Sequence, residues 1–359
     1  MSLFQFPRLR PWGWDDFFES QFNDPTLIPA RVIGEEKNAF RLQTESGTCW
    51  GKVSGHFHFT AGVRRDLPAT GDWVACAPAA GTAWMVIHRR LERKSCLTRK
   101  MAGRESDDQI LAANINTVFI VTSANGDLNP RRLERYLTLV WNSGAAPVIL
   151  LTKVDLAPDV DEALAAIRET AIGVEVFAVS SLTGYGVEAL TGYLGQGQTV
   201  VLIGSSGVGK STLVNRLVGS SVVRTQEIRE ADDKGRHTTT SRYLFRLPSG
   251  GSLIDTPGMR ELQLSDTHDE GLGQLFEDIE ALAGVCRFSN CRHQTEPGCA
   301  IRSAIADGEL DSGRWESYLK LQKEVRYHLQ KHDKAAISES RQEWKKVNRA
   351  LRAKKKSRG

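Results

Sequence analysis

One turn constrains this chain more than any other segment. The apolar run Val200-Val201-Leu202-Ile203 leads into Gly204-Ser205-Ser206-Gly207-Val208-Gly209-Lys210-Ser211, with Thr212 next and helical spacing up to Leu217. G-x-x-x-x-G-K-[ST] between a strand and a helix is a P-loop. Its glycines let successive backbone N–H groups turn toward phosphate oxygens, and the following helix adds its positive N-terminal end. In this pattern Lys210 reaches the β- and γ-phosphates and Ser211 ligates Mg2+. A chain that carries it must build a parallel sheet covered by helices on both faces.

The second feature is order. Thr152-Lys153-Val154-Asp155 follows the apolar run Val148-Ile149-Leu150-Leu151 and lies before the P-loop. A carboxylate at Asp155 can accept from guanine N1–H and the exocyclic amine, a donor pair that adenine lacks. Lys153 would lay its stem on the base. Ser180-Ser181, after the strand-like 174–179, sits where a backbone N–H would contact the guanine O6. Asp255-Thr256-Pro257-Gly258 ends a further short strand, where Asp255 suits a metal-side carboxylate and Gly258 can offer its N–H to the γ-phosphate. In a guanine-nucleotide switch of ordinary order the base-reading tetrad follows the P-loop. Here it precedes it, so the domain reads as circularly permuted. Position 152 usually holds an asparagine that braces the P-loop, and Thr152 predicts a weaker brace.

The loop Lys234-Gly235-Arg236-His237-Thr238-Thr239-Thr240 offers three candidates, Thr238, Thr239 and Thr240, for sensing the γ-phosphate. The residue after Gly258 is Met259, which cannot orient a water as a glutamine does. His237 is the local candidate for that work, with a structural loop histidine as the alternative.

Cys286-x4-Cys291-x-His293-x5-Cys299 brings three thiols and one imidazole together. That is the ligand set of a closed, structural Zn2+ site with no position left for catalysis. Cys49, Cys76 and Cys96 are scattered and read as small buried apolar residues.

Upstream, residues 29–100 read as five short strands punctuated by Gly47, Gly71 and Gly81, which suits a small closed barrel of the OB type. Such a barrel binds nucleic acid or serves as a packing platform. Residues 1–28 carry Trp12, Trp14, Phe17, Phe18 and Phe22 in an extension that either packs on the body or is mobile. Net charge is +4 overall, but from Arg314 to Gly359 there are 15 Lys/Arg against 5 Asp/Glu, which leaves the rest of the chain negative. A basic tail on such a body suits a polyanionic partner. No apolar run is long enough to span a bilayer, and Met1 to Arg8 lacks a signal-peptide apolar core, so a cytoplasmic protein is expected.

TKVD, SS, GSSGVGKST, GRHTTT, DTPG and the Cys/His cluster, in that order, resemble the ribosome small-subunit-dependent GTPase A family, across roughly residues 30–330. The resemblance implies an OB-fold, a circularly permuted P-loop GTPase domain and a C-terminal helical zinc-binding domain. It implies GTP and GDP as ligands with Mg2+ and one Zn2+. It also implies a role in late maturation of the small ribosomal subunit through its rRNA, with hydrolysis stimulated by that subunit, and a catalytic His237. The expected organisation is an extension at 1–28, a barrel at 29–104, the permuted domain at 105–265, and a zinc domain with basic tail at 266–359. A monomer with no membrane partner is expected. A nucleotide-gated rRNA-binding module with incidental hydrolysis is the alternative, kept open by Met259.

Base reading is directly testable. Asp155→Asn replaces an acceptor with a donor, so nucleotide preference should move from GTP toward xanthosine triphosphate. Hydrolysis assays with both nucleotides check this, and unchanged GTP use would remove Asp155 from base recognition.

Overall fold

The computed structural model describes residues 5–36, 39–100, 108–125, 127–219, 242–255, 269–323 and 325–326. These fall into two compact units, one made of the described residues of 5–100 and 109–255, the other of Asp108 and the described residues from 269 onward.

In the first unit, continuous apolar runs become buried parallel strands. β8 (Thr117–Ser123), β9 (Ala146–Thr152) and β11 (Thr199–Ile203) have almost no exposed position. β10 (Glu175–Ala178) and β13 (Ser252–Asp255) extend the same sheet. The order is β10-β9-β8-β11-β13, parallel throughout. Successive strands run outward from β8 to β10, and β11 then starts on the other side of β8. The switch point of the sheet therefore lies between β8 and β11, the place where open α/β sheets bind ligands.

Helix Pro130–Asn142 opens on Asn129, whose side chain accepts from Arg132 N–H at 3.1 Å. Its apolar stripe of Leu133, Leu137 and Val140 is buried. The next helix begins at Val160, where Asp159 caps it by accepting from Glu162 N–H at 2.9 Å.

The barrel comprises β1 (Ile28–Glu36), β2 (Ala39–Thr44), β3 (Gly47–Val53), β4 (Trp73–Pro78) and β5 (Trp84–Arg90). It closes through the antiparallel β1–β4 pair, as the five-strand expectation requires. Alternation fills its interior with Val32, Leu42, Val74, Cys76 and Ile87. A short helix, Gly55–Thr60, sits between β3 and β4. β6 (Cys96–Lys100) and β7 (Asp108–Ala113) form a separate two-stranded ribbon. The antiparallel strand β12 (Tyr243–Arg246) pairs with β13 on one side and meets β1 on the other, Gly34 opposite Tyr243. A Cβ at Gly34 would lie 2.8 Å from the Tyr243 ring. Barrel and parallel sheet thus share one continuous run of strands.

The N-terminal segment packs. Leu9, Trp14, Phe18 and Phe22 join Trp73, Ala75 and Leu91 in a second core on the outer face of the barrel. Trp14 meets Trp73 edge-on with centroids 4.9 Å apart. The aromatic residues that looked unplaced in sequence therefore cover the outward side of β4, whose inward residues Val74 and Cys76 fill the barrel.

In the second unit, helices Asp269–Leu275, Glu277–Gly284 and Ala300–Ala306 surround the cysteine cluster. A further helix occupies 312–323. Its first turn is capped by Asp311, whose carboxylate accepts from Arg314 N–H at 2.8 Å. Residues 338–356, in which Trp344, Val347 and Leu351 recur at helical spacing, lie outside the described residues.

Trp14 is 2 % exposed, whereas its neighbour Phe17 is 38 % exposed. Trp14→Ala should destabilise the first unit by about 3–5 kcal/mol, the range for a buried aromatic deletion, and Phe17→Ala by much less. Paired urea denaturation curves check both.

Candidate functional site

The P-loop leaves β11 at Ile203 and ends in helix Lys210–Val218. Two glycines make the turn possible. Gly204 has φ +142°, and a Cβ there would lie 2.2 Å from the Val121 carbonyl oxygen of β8. Gly209 caps the helix at φ +95°, a left-handed conformation that side chains disfavour. The Lys210 ammonium folds over the loop and donates to the carbonyls of Gly204 (2.6 Å) and Ser205. Ser211 and Thr212 lie in the first turn of the helix, directly after the loop, and Val208 is buried beneath it.

β9 delivers the tetrad to the same end of the sheet. Thr152, 1 % exposed, holds its hydroxyl between the carbonyls of Thr122 on β8 (3.0 Å) and Val208 in the P-loop (2.5 Å). The brace expected to be weak is present, made with one hydroxyl proton facing two acceptors. Lys153 follows in a left-handed conformation, φ +57°. A Cβ on Gly209 would stand 4.0 Å from Lys153 Cε, so the lysine stem runs past the P-loop. Asp155 lies on the exposed 3-10 turn Val154–Leu156.

β10 ends just before Ser180-Ser181. Ser180 is fully buried, and its Oγ accepts from Thr183 N–H at 3.2 Å. The Arg216 guanidinium reaches from the P-loop helix to the Ser181 carbonyl at 2.9 Å. Arg216 was missed in the sequence because an arginine on a short amphipathic helix reads as a solvated face. It ties the loop after β10 to the helix behind the phosphate cradle.

Asp255 terminates β13, beside β11 in the sheet. Thus Thr152, Lys153, Asp155, Ser180, Ser181, the P-loop and Asp255 all occur at carboxyl ends of neighbouring parallel strands. Gly258, His237, Thr238, Thr239 and Thr240 lie outside the described residues. Chemically the arrangement offers backbone donors and a lysine suited to phosphates, a hydroxyl suited to a divalent cation, and an exposed carboxylate able to accept two hydrogen bonds.

In the second unit, the ligand atoms of Cys286, Cys291, His293 and Cys299 lie within 4.8 Å of one another. Cys286 Sγ and Cys299 Sγ are each 3.5 Å from His293 Nδ1 and 4.0 Å apart. Tetrahedral zinc, with Zn–S of about 2.3 Å and Zn–N of about 2.0 Å, sets its ligands roughly 3.5–3.8 Å apart, so this donor set fits that ion. His293 sits at φ +59°, which turns its Nδ1 toward the thiols. Burial acts to raise the Cys286 thiol, but N–H donors from Ala300 and Ile301 and the neighbouring thiols outweigh it and hold the group below its ordinary value. Glu296, which the sequence did not single out, accepts from Arg292, Gln294 and Thr295 N–H at 3.0–3.1 Å and pins the loop between His293 and Cys299. With its own N–H these donors hold its carboxyl down at about 2.

Comparison with known proteins agrees with this geometry. A family model described as RsgA GTPase matches residues 90–265. The chain is 45% identical over 330 residues to the small ribosomal subunit biogenesis GTPase RsgA 1 of Oceanobacillus iheyensis, covering 92% of this chain and 94% of that one. It is 43% identical over 358 residues to the RsgA of Opitutus terrae, covering 97% and 98%. Among solved structures, YjeQ from Thermotoga maritima superposes with a TM-score of 0.62 at 27% identity, covering 84% of this chain and 99% of that one. YloQ, a circularly permuted GTPase, has the same fold at TM-score 0.60 and 24% identity, covering 85% and 98%.

The Thr152 brace has a measurable consequence. Thr152→Val leaves a buried P-loop carbonyl without its donor, a loss of about 1–3 kcal/mol, and should weaken GDP affinity roughly tenfold, whereas Thr152→Ser should restore it. Fluorescent-nucleotide titrations of the three proteins check this.

Proposed function

Since this chain belongs to the RsgA GTPase family, we propose that it hydrolyses GTP on the small ribosomal subunit late in that subunit's assembly, in the cytoplasm, with rRNA as its direct contact. The observation that carries the reading is the convergence of the tetrad after β9 and the P-loop after β11 on one switch point, joined by the Thr152 hydroxyl.

In this mechanism Asp155 accepts from guanine N1–H and the exocyclic amine, Lys153 covers the base, and the Ser180-Ser181 backbone contacts O6. Lys210 exchanges its bonds to the Gly204 and Ser205 carbonyls for the β- and γ-phosphate oxygens. The N–H groups of 204–212 hold the remaining phosphate charge. Ser211 and Asp255 would hold Mg2+, which when bound neutralises charge on the transferring phosphoryl group. Gly258 and one of Thr238, Thr239 and Thr240 sense the γ-phosphate, and His237 places the attacking water, since Met259 offers no polar group. Cys286, Cys291, His293 and Cys299 would hold a structural zinc. Hydrolysis by the free protein is slow and rises when the subunit completes the site.

The test is GTP turnover by the purified protein with and without small ribosomal subunits, with ATP as control. The expected result is slow, GTP-selective turnover that rises by at least about tenfold with the subunit. Equal rates in both conditions would instead favour a nucleotide-gated rRNA clamp.

A further inference from the structure

Arg31 is an anomaly. It lies on β1, is 1 % exposed, and among the described residues forms no hydrogen bond to a carboxylate. Its guanidinium donates to neutral acceptors: the Trp12 carbonyl, the Asn114 carbonyl at 3.1 Å and the Thr199 hydroxyl at 3.0 Å. Its Nε–H has no acceptor among the described residues. The Trp73 ring, 5.4 Å away, is the only aromatic face recorded against it among the described residues. Burial, which Asp72 and Asp15 offset only in part and Arg246 reinforces, pushes the group down to about 9. A buried cation without a bonded counter-charge is costly.

The same arginine lines a cavity of about 540 Å³ at the junction of the N-terminal segment, the barrel and the parallel sheet, all within the first unit. Arg10 and Lys94 also line it; Lys94 pairs with Asp15, the single carboxylate of the lining, which leaves Arg10 and Arg31 as the cations in excess. The side-chain amides of Gln196 and Gln198 line it without a hydrogen bond to other described residues. The cavity lies at the opposite end of the sheet from the P-loop, because Asn116 and Gln198 directly precede β8 and β11. Its volume is in the range of small-molecule sites. Three cations and several amides arriving from different elements suit an acceptor with oxygens in several directions.

We propose that this cavity is a second anion site, distinct from the P-loop, which takes the phosphate group of a phosphate ester and supplies the counter-charge Arg31 lacks. The space beyond the phosphate accommodates a group the size of one nucleoside, free or as one residue of a single-stranded RNA. Because Arg31 also grips Thr199 at the start of the P-loop strand, occupancy fixes the root of β11 as well as the N-terminal segment through Trp12.

The test uses full-length protein saturated with GDP and Mg2+, so that the P-loop is filled. It is titrated with inorganic phosphate and with adenosine monophosphate, and in a separate arm with a short single-stranded RNA, by calorimetry and thermal melting. The expected result is one-to-one binding with a rise in Tm. Affinity should fall by about tenfold or more in Lys94→Gln and in Arg10→Gln, since each removes a charge-assisted contact. Gln198→Trp fills the cavity without changing its charge and should abolish binding in a protein that still binds GDP. Binding of RNA alone, lost in the same three variants, keeps the phosphate site and identifies its source as the nucleic-acid backbone. Absence of heat and of any Tm change with every probe at about 10 mM, or wild-type binding in all three variants, overturns the proposal.

Discussion

Parallel pairing of β8 with β11, Thr117 through Ile120 against Val200 through Ile203, is the constraint on which the first unit depends. It joins strands that are far apart in the chain and makes the sheet reverse direction there. It also sets how closely the P-loop approaches β8, since Gly204 passes where any Cβ would meet the Val121 carbonyl. With that contact fixed, Thr152 can bridge β8 and the P-loop with one hydroxyl, and Arg216 can reach from the P-loop helix to the loop after β10. Base-side and phosphate-side elements are thus held by short bonds between backbone and side chain, and are not left to loop conformation.

Much of this was legible in the chain. Buried parallel strands are continuous apolar runs, and such runs preceded every motif that ends a strand here. The barrel strands showed their alternation, and the cysteine spacing marked one cluster. What escaped notice has physical reasons. β12 is four residues long and carries Tyr243 and Arg246, so neither periodicity nor composition distinguishes it from a loop. Arg31 alternates with the core residues Ala30 and Val32 and reads as an outward, solvated residue. It does face out of the barrel, but the N-terminal segment covers that face, and coverage by a distant segment leaves no local trace. Gly258, His237 and Thr238 to Thr240 were read from motif order, and that order is the basis for their assigned roles.

The second unit relies on different physics. Its apolar core is small, and Arg314 ties helices together by donating to both oxygens of Asp278 at 2.8 and 2.9 Å and to the Leu275 carbonyl while lying over Phe276. Trp315 packs edge-on against His293 and stacks on Tyr318. The helix at 312–323 is therefore anchored to the Cys/His loop through His293, so the geometry of the four donor residues and the seating of that helix are one structural fact.

The permuted order also sets a sequence of events during synthesis. The chain is made from its N-terminus, so β8, β9 and β10 leave the ribosome and can pair before the P-loop strand exists. Until β11 is made, the β8 edge that will become the middle of the sheet presents unpaired N–H and C=O groups, the kind of edge that invites mispairing. In the unpermuted order the phosphate loop comes first and the base-reading strand is added to it. Here the half that carries Thr152 to Asp155 waits for the half that carries the P-loop, and the two can meet only after β11 has been translated. The barrel and its aromatic N-terminal cover are made before either half, so the newborn sheet has a folded neighbour on the chain through the interval when its central edge is bare.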